Sequence, residues 1–335
     1  MAERNNRQWR LAARPVGDIK ASDFAWHEEP VRPLRAGEAL VRNLYLSIDP
    51  TNRVWMTDAP GYLPPVGLGE VMRGITVGVV EESLNDALPA GTHVTGILGW
   101  QDYAVTDGAG LRPMPQGLPV PPSFFLGLFG HIGLTAYFGL LETGRPKEGE
   151  TLVVSAAAGA TGSLVGQIGK IKGCRVVGIA GGAEKCRRLT EELGFDAAVD
   201  YKAGAVREQL QRHCPDGIDV YFENVGGALL DDVLSLINLR ARIVLCGLIS
   251  QYNAAAPVPG PYNFGAILMQ RARIEGFIVL DYLPRAAEAF ADLSRWYAEG
   301  RIKYREEIVE GLEHAPETLT RLFTGAHEGK LVVKI

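Results

Sequence analysis

Residues 154–163 read Val-Ser-Ala-Ala-Ala-Gly-Ala-Thr-Gly-Ser, and this stretch decides the fold of the chain. Read as the pattern AxxGxxG, it places Ala156, Gly159 and Gly162 between an apolar strand and a helix. Small residues are needed there because a tight turn must bring backbone N–H groups and a helix N-terminus close to a pyrophosphate. The last glycine lets the helix pack on the strand. We therefore predict a dinucleotide-binding turn, in which Ala156, Gly159, Ala160, Thr161 and Gly162 bind the cofactor.

The sequence around this turn alternates between short apolar strands and helices. Strands are predicted at 151–155, 174–179, 196–199, 219–222, 242–246 and 274–279. Helices are predicted around 164–171, 186–193, 228–239 and 284–299, with a last helix near 316–324 and a last strand at 331–335. Alternation of this kind is typical of a parallel sheet with right-handed crossovers. We expect an α/β fold whose main element is a doubly wound parallel sheet.

The first 120 residues have a different character, with strands and turns in place of helices. Leu40, Leu44, Leu46 and Ile48 recur with a period of two, and further strands are predicted at 75–80 and 93–98. Glycine and proline clusters separate these strands. A length of 335 residues fits two domains of ordinary size, so we expect a β-rich domain beside the parallel sheet.

The end of the second predicted strand selects between the two nicotinamide cofactors. A fold of this kind that binds NAD usually carries Asp or Glu about 20 residues past the turn, where the carboxylate bonds the ribose 2′-hydroxyl. Here residues 176–182 contain no acid, and Lys185, Arg187 and Arg188 follow them. The missing carboxylate removes repulsion of a 2′-phosphate, and Lys185 can pair with that phosphate. We predict NADP(H). The alternative is that these three cations are only solvated side chains on an exposed helix face, where Glu184 partly neutralises their charge.

Composition and charge exclude several classes of function. The chain has 34 Lys and Arg against 39 Asp and Glu, a net charge of −5, so it gains no general attraction to nucleic acid. Charged residues make up 22% and apolar residues 47%, which is ordinary for a globular protein. The four cysteines (174, 186, 214 and 246) form no CxxC pair, which favours free thiols in a reducing compartment. The first ten residues lack the apolar segment of a secretory signal, and we expect a cytoplasmic protein.

Residues 124–141 resemble a membrane span in length. They contain no Lys, Arg, Asp or Glu over 18 residues, close to the minimum for crossing a bilayer. Four glycines, His131 and Thr135 interrupt the stretch. We therefore predict a buried connection of helix and turn, and no membrane partner.

Metal and nucleophile chemistry have little support in the sequence. The six histidines are scattered over the chain, and no cysteine precedes Cys174, so a zinc site is disfavoured. No GxSxG motif is present, and Cys246 on an apolar strand is better explained as a core residue than as a nucleophile. Hydride transfer without a metal remains, because the nicotinamide supplies the difficult chemistry.

Six segments, spread in order over nearly the whole chain, carry a resemblance to a known family. They are 46–50 (LSIDP), 133–140 (GLTAYFGL), 155–163 (SAAAGATGS), 222–227 (FENVGG), 246–253 (CGLISQYN) and 329–333 (GKLVV). Together they resemble the zinc-independent medium-chain dehydrogenase/reductases. The similarity is greatest to the branch of NADPH-dependent alkenal/one, prostaglandin, plant double-bond and bacterial curcumin reductases.

The resemblance implies a domain arrangement and a set of roles. Residues 1–125, completed by 302–335, would form a GroES-like catalytic domain, and 126–301 a Rossmann domain that binds NADP, in a homodimer. Lys185 and Tyr201 match residues that hold the 2′-phosphate, and Asn224 lies at the nicotinamide end. Further implied cofactor contacts are Thr135, Cys246, Gly247, Ile249, Ser250, Tyr252, Phe277, Val279 and His327. Tyr252 and Tyr62 match tyrosines near the substrate carbonyl and are the expected catalytic residues.

Two departures from the family and several simpler explanations weaken these assignments. His327 stands where the family usually has Asn, and Met269 where some members have a Tyr that has been given a catalytic role. Tyr201 is alternatively an ordinary strand-end aromatic and Asn224 a turn former. Tyr62 is alternatively a residue that shapes its loop, and Tyr252 one that caps the sheet.

The favoured function is reduction of the C=C bond of α,β-unsaturated aldehydes and ketones by NADPH. Hydride goes to the β-carbon, hydroxyl donors stabilise the enolate, and a proton then reaches the α-carbon. Two alternatives stay open: a quinone reductase of the same superfamily, and a nucleotide-binding protein that retains the fold without catalysis.

Overall fold

The structure, a computed structural model, describes residues 4–115, 117 and 119–335, and the chain divides into two compact units. One unit combines Met1–Leu126 with Glu306–Ile335, and the other is Gly127–Arg305. The first unit is therefore built from both ends of the chain, and the second from its middle.

Within the described residues the chain forms fifteen strands and nine α-helices. The strands are β1 (Asn5–Leu11), β2 (Phe24–Pro30), β3 (Ala39–Ser47), β4 (Ile75–Ser83), β5 (His93–Ile97), β6 (Tyr103–Thr106), β7 (Arg112–Pro113), β8 (Thr151–Val154), β9 (Arg175–Ala180), β10 (Ala197–Asp200), β11 (Ile218–Glu223), β12 (Ile237–Leu245), β13 (Arg273–Gly276), β14 (Glu306–Glu310) and β15 (Lys330–Lys334). The helices are α1 (Thr51–Trp55), α2 (His131–Phe138), α3 (Ala160–Ile171), α4 (Ala183–Glu191), α5 (Val206–His213), α6 (Gly227–Leu234), α7 (Gly265–Met269), α8 (Ala286–Ala298) and α9 (Ala315–Thr324).

The middle unit contains a six-stranded sheet in the order β10-β9-β8-β11-β12-β13, with every neighbouring pair parallel. Side chains alternate between its two faces. Val153 and Val177 belong to a core that includes Leu210 of α5 and Val233 of α6. On the opposite face, Leu152 lies against α3. Helices thus cover both faces, and the predicted α/β fold with a doubly wound, Rossmann-type parallel sheet is confirmed.

The other unit is rich in β-structure. Its larger sheet has the order β14-β15-β3-β4-β5-β7, with β6 also pairing with β3, and β1 and β2 form a separate antiparallel pair. The C-terminal strand β15 pairs antiparallel with β3, so the two chain ends share one core. The predicted β-rich domain is therefore present.

A buried ion pair joins two of the segments that carried the family resemblance. The Lys330 ammonium lies 3.2 Å from the Asp49 carboxylate and donates to the Ile48 carbonyl at 2.6 Å, and the lysine is only 1% exposed. Burial lowers the pKa of Lys330, while Asp49 opposes that shift. Because leaving one buried charge without its partner is costly, the pair fixes the start of β15 to the end of β3.

Several sequence-based boundaries differ from the structure. The helix predicted at 228–239 was wrong at its end: α6 stops at Leu234, and Ile237 already begins β12. The strand predicted at 274–279 ends at Gly276, and a 3₁₀ turn starts at Val279. Strands β1, β2, β6, β7 and β14 and helices α1, α5 and α7 were not predicted.

The stretch 124–141 folds as predicted, into a connection of helix and turn. A 3₁₀ turn spans Pro122–Leu126, α2 follows, and a π-helical turn covers Gly139–Gly144. In the part of the chain that the structure describes, no helix combines the length and apolar character needed to span a bilayer.

Candidate active site

The predicted phosphate-binding turn connects β8 with α3. Ala156 adopts a left-handed conformation with φ +49°, and Gly159 is the residue that caps the helix N-terminus. Ala160 and Thr161 lie in the first helical turn, where backbone N–H groups have no partner within the helix. The turn therefore presents N–H donors of the kind that bind a pyrophosphate.

Gly162 shows why the third small residue of the motif is required. A Cβ at this position would lie 2.4 Å from the Ala156 carbonyl oxygen and 2.9 Å from the Ala157 Cα. No side chain fits there, because the obstructing atoms belong to the backbone of the turn itself. The close packing of α3 on the turn thus depends on glycine.

A hydrogen-bond network at the ends of β8 and β11 lies beside this turn. The buried Ser155 hydroxyl donates to Glu223 Oε1 at 2.8 Å and accepts the Asn224 N–H at 2.8 Å. The Asn224 side-chain amide donates to the Ser155 carbonyl at 2.7 Å. Glu223 also accepts the Val225 N–H at 2.5 Å. The network brings Asn224 to the carboxyl edge of the sheet, where α/β folds bind ligands.

Glu223 is a residue that sequence reasoning missed. Its side chain is fully buried, and burial raises the pKa of its carboxyl group, while bonds from Val225, Gly226 and Ser155 act in the opposite direction. Its backbone carbonyl accepts the N–H groups of Cys246 and Gly247 at 3.0 and 3.1 Å. The signal in the sequence was an acid at the end of an apolar strand, inside the quoted FENVGG segment.

The loop after β12 pairs with the loop after β11. Ile249 N–H donates to the Asn224 carbonyl at 3.1 Å, and both the N–H and the hydroxyl of Ser250 donate to the Val225 carbonyl. Cys246, Gly247, Ile249 and Ser250, all predicted cofactor contacts, are thereby brought together with Asn224. Burial raises the pKa of the Cys246 thiol to about 12, which disfavours the thiolate needed for a nucleophile.

Tyr252 folds back over this loop. Its hydroxyl oxygen accepts the Leu248 N–H at 3.1 Å and lies 3.1 Å from where a Gly247 Cβ would stand. A tyrosine hydroxyl can accept one hydrogen bond and donate another. The geometry is compatible with Tyr252 as a hydrogen-bond donor at the sheet edge.

The end of β9 is the site predicted to select the cofactor. The strand ends at Ala180, Gly181 and Gly182 follow, and α4 places Lys185 in its first turn. Tyr201, which directly follows β10, has its ring against Gly181, where a Cβ would lie 2.7 Å from the ring. The structure thus brings Tyr201 to the strand end that precedes Lys185.

Three further predicted cofactor residues lie elsewhere in the middle unit. Phe277 packs against Phe222 at 6.3 Å between ring centroids and fills the space beside Gly139. Val279 opens the 3₁₀ turn after β13. Thr135 lies on α2, and its hydroxyl donates to the His131 carbonyl at 2.7 Å.

Two predicted residues, Tyr62 and His327, belong to the unit formed by the chain ends. The Tyr62 hydroxyl is hydrogen-bonded to the Thr51 hydroxyl, and its side chain is 43% exposed. Burial of part of the ring raises the pKa of Tyr62 above its usual value. His327 Nδ1 lies 3.3 Å from the Arg321 carbonyl, just before β15.

Two family descriptions match the chain. Residues 7–114 match the N-terminal domain of oxidoreductase, and residues 160–299 match the family described as zinc-binding dehydrogenase. In residues 4–115, 117 and 119–335, no group of three or more His, Cys, Asp or Glu side chains could hold a metal ion.

Relatives match over nearly the full length. The chain is 48% identical to the NADPH-dependent curcumin reductase of Escherichia coli (strain K12), covering 99% of this chain and 98% of that one. It is 42% identical to prostaglandin reductase 1 of Rattus norvegicus, covering 97% and 98%. The crystal structure of CurA in complex with NADPH from Vibrio vulnificus matches with a TM-score of 0.94, 49% identity and 98% of each chain. The chain belongs to the zinc-independent medium-chain dehydrogenase/reductases, in the branch of the alkenal/one, curcumin and prostaglandin reductases.

Proposed function

We propose that this protein reduces the C=C bond of α,β-unsaturated aldehydes and ketones with NADPH. The observation that carries the proposal is the convergence of the phosphate turn, the Asn224 loop and the loop ending at Tyr252 at one edge of the parallel sheet. The names of the full-length relatives, an NADPH-dependent curcumin reductase and a prostaglandin reductase, favour the same reaction.

The residues at this edge fit a bound NADP(H). Gly162 leaves no room for a side chain beside the turn, and the N-terminus of α3 offers backbone N–H groups that would bind a pyrophosphate. Lys185 and Tyr201 are proposed to hold the 2′-phosphate, and Asn224 with residues 246–250 the nicotinamide half. The remaining proposed contacts are Thr135, Phe277, Val279 and His327. Bound NADPH supplies the hydride that reaches the β-carbon of the substrate.

The protein's own part in the chemistry is to stabilise the charge that develops on the carbonyl oxygen. Hydride addition at the β-carbon turns the enone into an enolate, whose oxygen requires a donor aimed at it. We propose Tyr252 as this donor, because it stands at the carboxyl edge of the sheet. Tyr62 is the second proposed catalytic residue. A proton then reaches the α-carbon and completes the reduction.

A panel of enones, alkenals and quinones, each with NADPH and with NADH, tests the reaction. We expect NADPH-dependent loss of the enone absorbance and a saturated ketone or aldehyde as product. Faster turnover of quinones than of every enone would make the protein a quinone reductase. Tight NADPH binding without turnover of any compound would make it a nucleotide-binding protein.

The assembly and the location are further proposals. We propose a homodimer that uses β13, the last strand of its sheet. Large apolar side chains are exposed just before this strand: Tyr262, Phe264, Leu268 and Met269. Contiguous exposed apolar surface marks interaction sites. Light scattering should give twice the chain mass, and Leu268→Glu should reduce it to one chain mass.

We propose a cytoplasmic location and two domains of known type. All four cysteines lie within the described residues and are free thiols, as expected in a reducing compartment. Residues 1–125 with 302–335 are proposed as a GroES-like domain, and 126–301 as the NADP-binding domain. Cell fractionation tests the location; expression of 126–301 alone, with a measurement of NADPH binding, tests the domain assignment.

A further inference from the structure

The ring of Tyr201 occupies the space beside Gly181 that a side chain would need. A Cβ at Gly181 would lie 2.7 Å from Tyr201 Cε1 and 2.8 Å from both Cζ and the hydroxyl oxygen. Contacts below 3.0 Å require one partner to move, and here the contacting atoms are the far end of the half-exposed Tyr201 ring, so a side chain at 181 would displace that ring. The present position of Tyr201 is therefore compatible only with glycine at 181.

One carboxylate oxygen connects the two loops that meet at this point. Asp200 Oδ1 accepts the Gly182 N–H at 2.8 Å and the Lys202 N–H at 2.9 Å. Gly182 precedes α4, which carries Lys185, and Lys202 follows Tyr201. Asp200 thus fixes the start of the Lys185 helix relative to the turn that carries Tyr201.

The backbone of Asp200 is itself held in place by the side chain of Gln209. Gln209 of α5 accepts the Asp200 N–H at 3.1 Å and donates to the Asp200 carbonyl at 3.0 Å. Asp200 is also the residue that pairs with Ala180, the last residue of β9. Its carboxylate accordingly stands on the neighbouring strand of the sheet, with one oxygen engaged by backbone N–H groups.

This arrangement differs in one informative way from a fold that selects NAD. There, an acid at the end of the second strand bonds the ribose 2′-hydroxyl. Here the second strand ends at Ala180, a side chain at the next residue, Gly181, would meet the Tyr201 ring, and the acid at Asp200 is directed to backbone N–H groups. Glycine at 181 therefore leaves the space in which the Tyr201 ring lies, and the nearby acid, Asp200, is already engaged by backbone N–H groups.

We propose that Gly181 provides the space in which Tyr201 lies and that Asp200 is the positioning residue that holds Tyr201 and Lys185 for the 2′-phosphate, so that both residues contribute to cofactor specificity. The inference rests on the proposed use of NADP(H). It adds two residues that act through Tyr201 and Lys185, and it assigns the selection to packing as well as to charge.

Calorimetric titration of wild-type protein and variants with adenosine 2′,5′-bisphosphate and with 5′-AMP tests the inference. The ratio of the two affinities isolates the 2′-phosphate from every other contact of the cofactor. We expect Gly181→Ala and Asp200→Ala each to lower this ratio about tenfold, equivalent to about 1.4 kcal/mol. Asp200→Asn should retain the ratio within about twofold, because the amide oxygen can accept both N–H groups.

Gly260→Ala is the matched control for the glycine, because a Cβ there meets no atom within 4 Å. Its ratio should equal that of the wild type. An unchanged ratio in Gly181→Ala and Asp200→Ala, with a wild type that prefers the bisphosphate, would overturn the inference and leave the use of NADP(H) intact. Equal losses of both ligands in the variants would also overturn it, since that is the result of a merely structural role. A wild type that binds both ligands equally would overturn the inference together with the proposed cofactor.

Discussion

The side-chain amide of Asn224 donates a hydrogen bond of 2.7 Å to the backbone carbonyl of Ser155, 69 residues earlier in the chain. The bond joins the ends of two neighbouring parallel strands, β8 and β11, and so connects the phosphate-binding turn with the loop proposed to hold the nicotinamide. A residue that only formed a turn would bond within its own loop. The position of Asn224 is therefore fixed by contacts between strands.

Asn224→Ala should weaken NADPH binding about fivefold, because one hydrogen bond contributes about 1 kcal/mol and its loss lets the two loops separate. Titration followed by protein fluorescence measures the dissociation constant. Asn238→Ala is the control, since that amide bonds Asp216 and Asp219, away from the strand ends that carry the site. It should change stability and leave NADPH affinity as in the wild type. If Asn224→Ala and Asn238→Ala bind NADPH with the same affinity, the Asn224 hydrogen bond has no part in NADPH binding.

Lys185→Ala should weaken NADPH binding by about 1–3 kcal/mol, the range for a hydrogen bond to a charged group, and leave NADH binding nearly unchanged. Arg187→Ala is a matched control on the same helix, because its guanidinium is exposed and lies 3.9 Å from Glu191. That variant should bind both cofactors like the wild type. Equal losses for NADPH and NADH in Lys185→Ala would contradict the assignment of Lys185 to the 2′-phosphate.

Tyr252→Phe should lower kcat at least about tenfold while NADPH affinity stays close to wild type, since loss of one donor to a developing oxyanion costs 10²–10³-fold in well-studied cases. Tyr62→Phe should act more on KM. The measurement is single-turnover hydride transfer to an enone with saturating NADPH. Wild-type rates in both variants and in the double variant would exclude either phenol as the donor and leave a cofactor ribose hydroxyl or a water in that role.

Glu223→Gln should change the pH dependence of stability. Burial raises the pKa of Glu223 above the ordinary value of 4.5. At a pH just above 4.5, the carboxyl group has therefore lost its proton in the unfolded chain but keeps it in the folded protein. Stability therefore falls as the pH rises through the folded-state pKa, and this loss is absent from the glutamine variant. The Tm of the variant relative to wild type should increase from pH 4.5 to 8.

Glu288→Gln is the control for that series. The Arg285 guanidinium lowers the pKa of Glu288, so the charged form of this carboxyl is favoured in the folded protein. Its contribution to stability is present above the ordinary pKa and is lost as the pH falls, which is the opposite sign. A Tm difference for Glu223→Gln that does not vary with pH would show that this carboxyl does not titrate in the range.

Metal removal should leave the protein active. The described residues contain no cluster able to hold a metal ion, and the proposed chemistry uses a hydroxyl donor in place of a Lewis acid. Elemental analysis should find no stoichiometric zinc, and incubation with a chelator should preserve the rate of enone reduction. One tightly bound zinc per chain, with loss of activity on chelation, would contradict the metal-free mechanism.

Local patterns in the sequence determined the elements that depend on neighbouring residues. Short apolar runs predicted the strands of the parallel sheet, and the small residues of 156–162 predicted the turn, because both are effects of backbone geometry over a few positions. The same reasoning failed at 237–239, which have apolar residues that fit a helix or a strand. In the structure these residues begin strand β12, and Ile237 is buried in the core of the sheet.

Tertiary structure alone decided the roles of Glu223 and Asp200. Both are acids at the ends of apolar strands, and nothing in the adjacent sequence shows what their carboxylates contact. Glu223 bonds Ser155, 68 residues away, and Asp200 bonds Gly182, 18 residues away. Such partners are set by the order and register of strands in the sheet, which bring together residues that no local pattern connects. The sequence therefore determined which residues form the predicted binding turn, and the sheet decided which strand-end acids hold the surrounding loops in place.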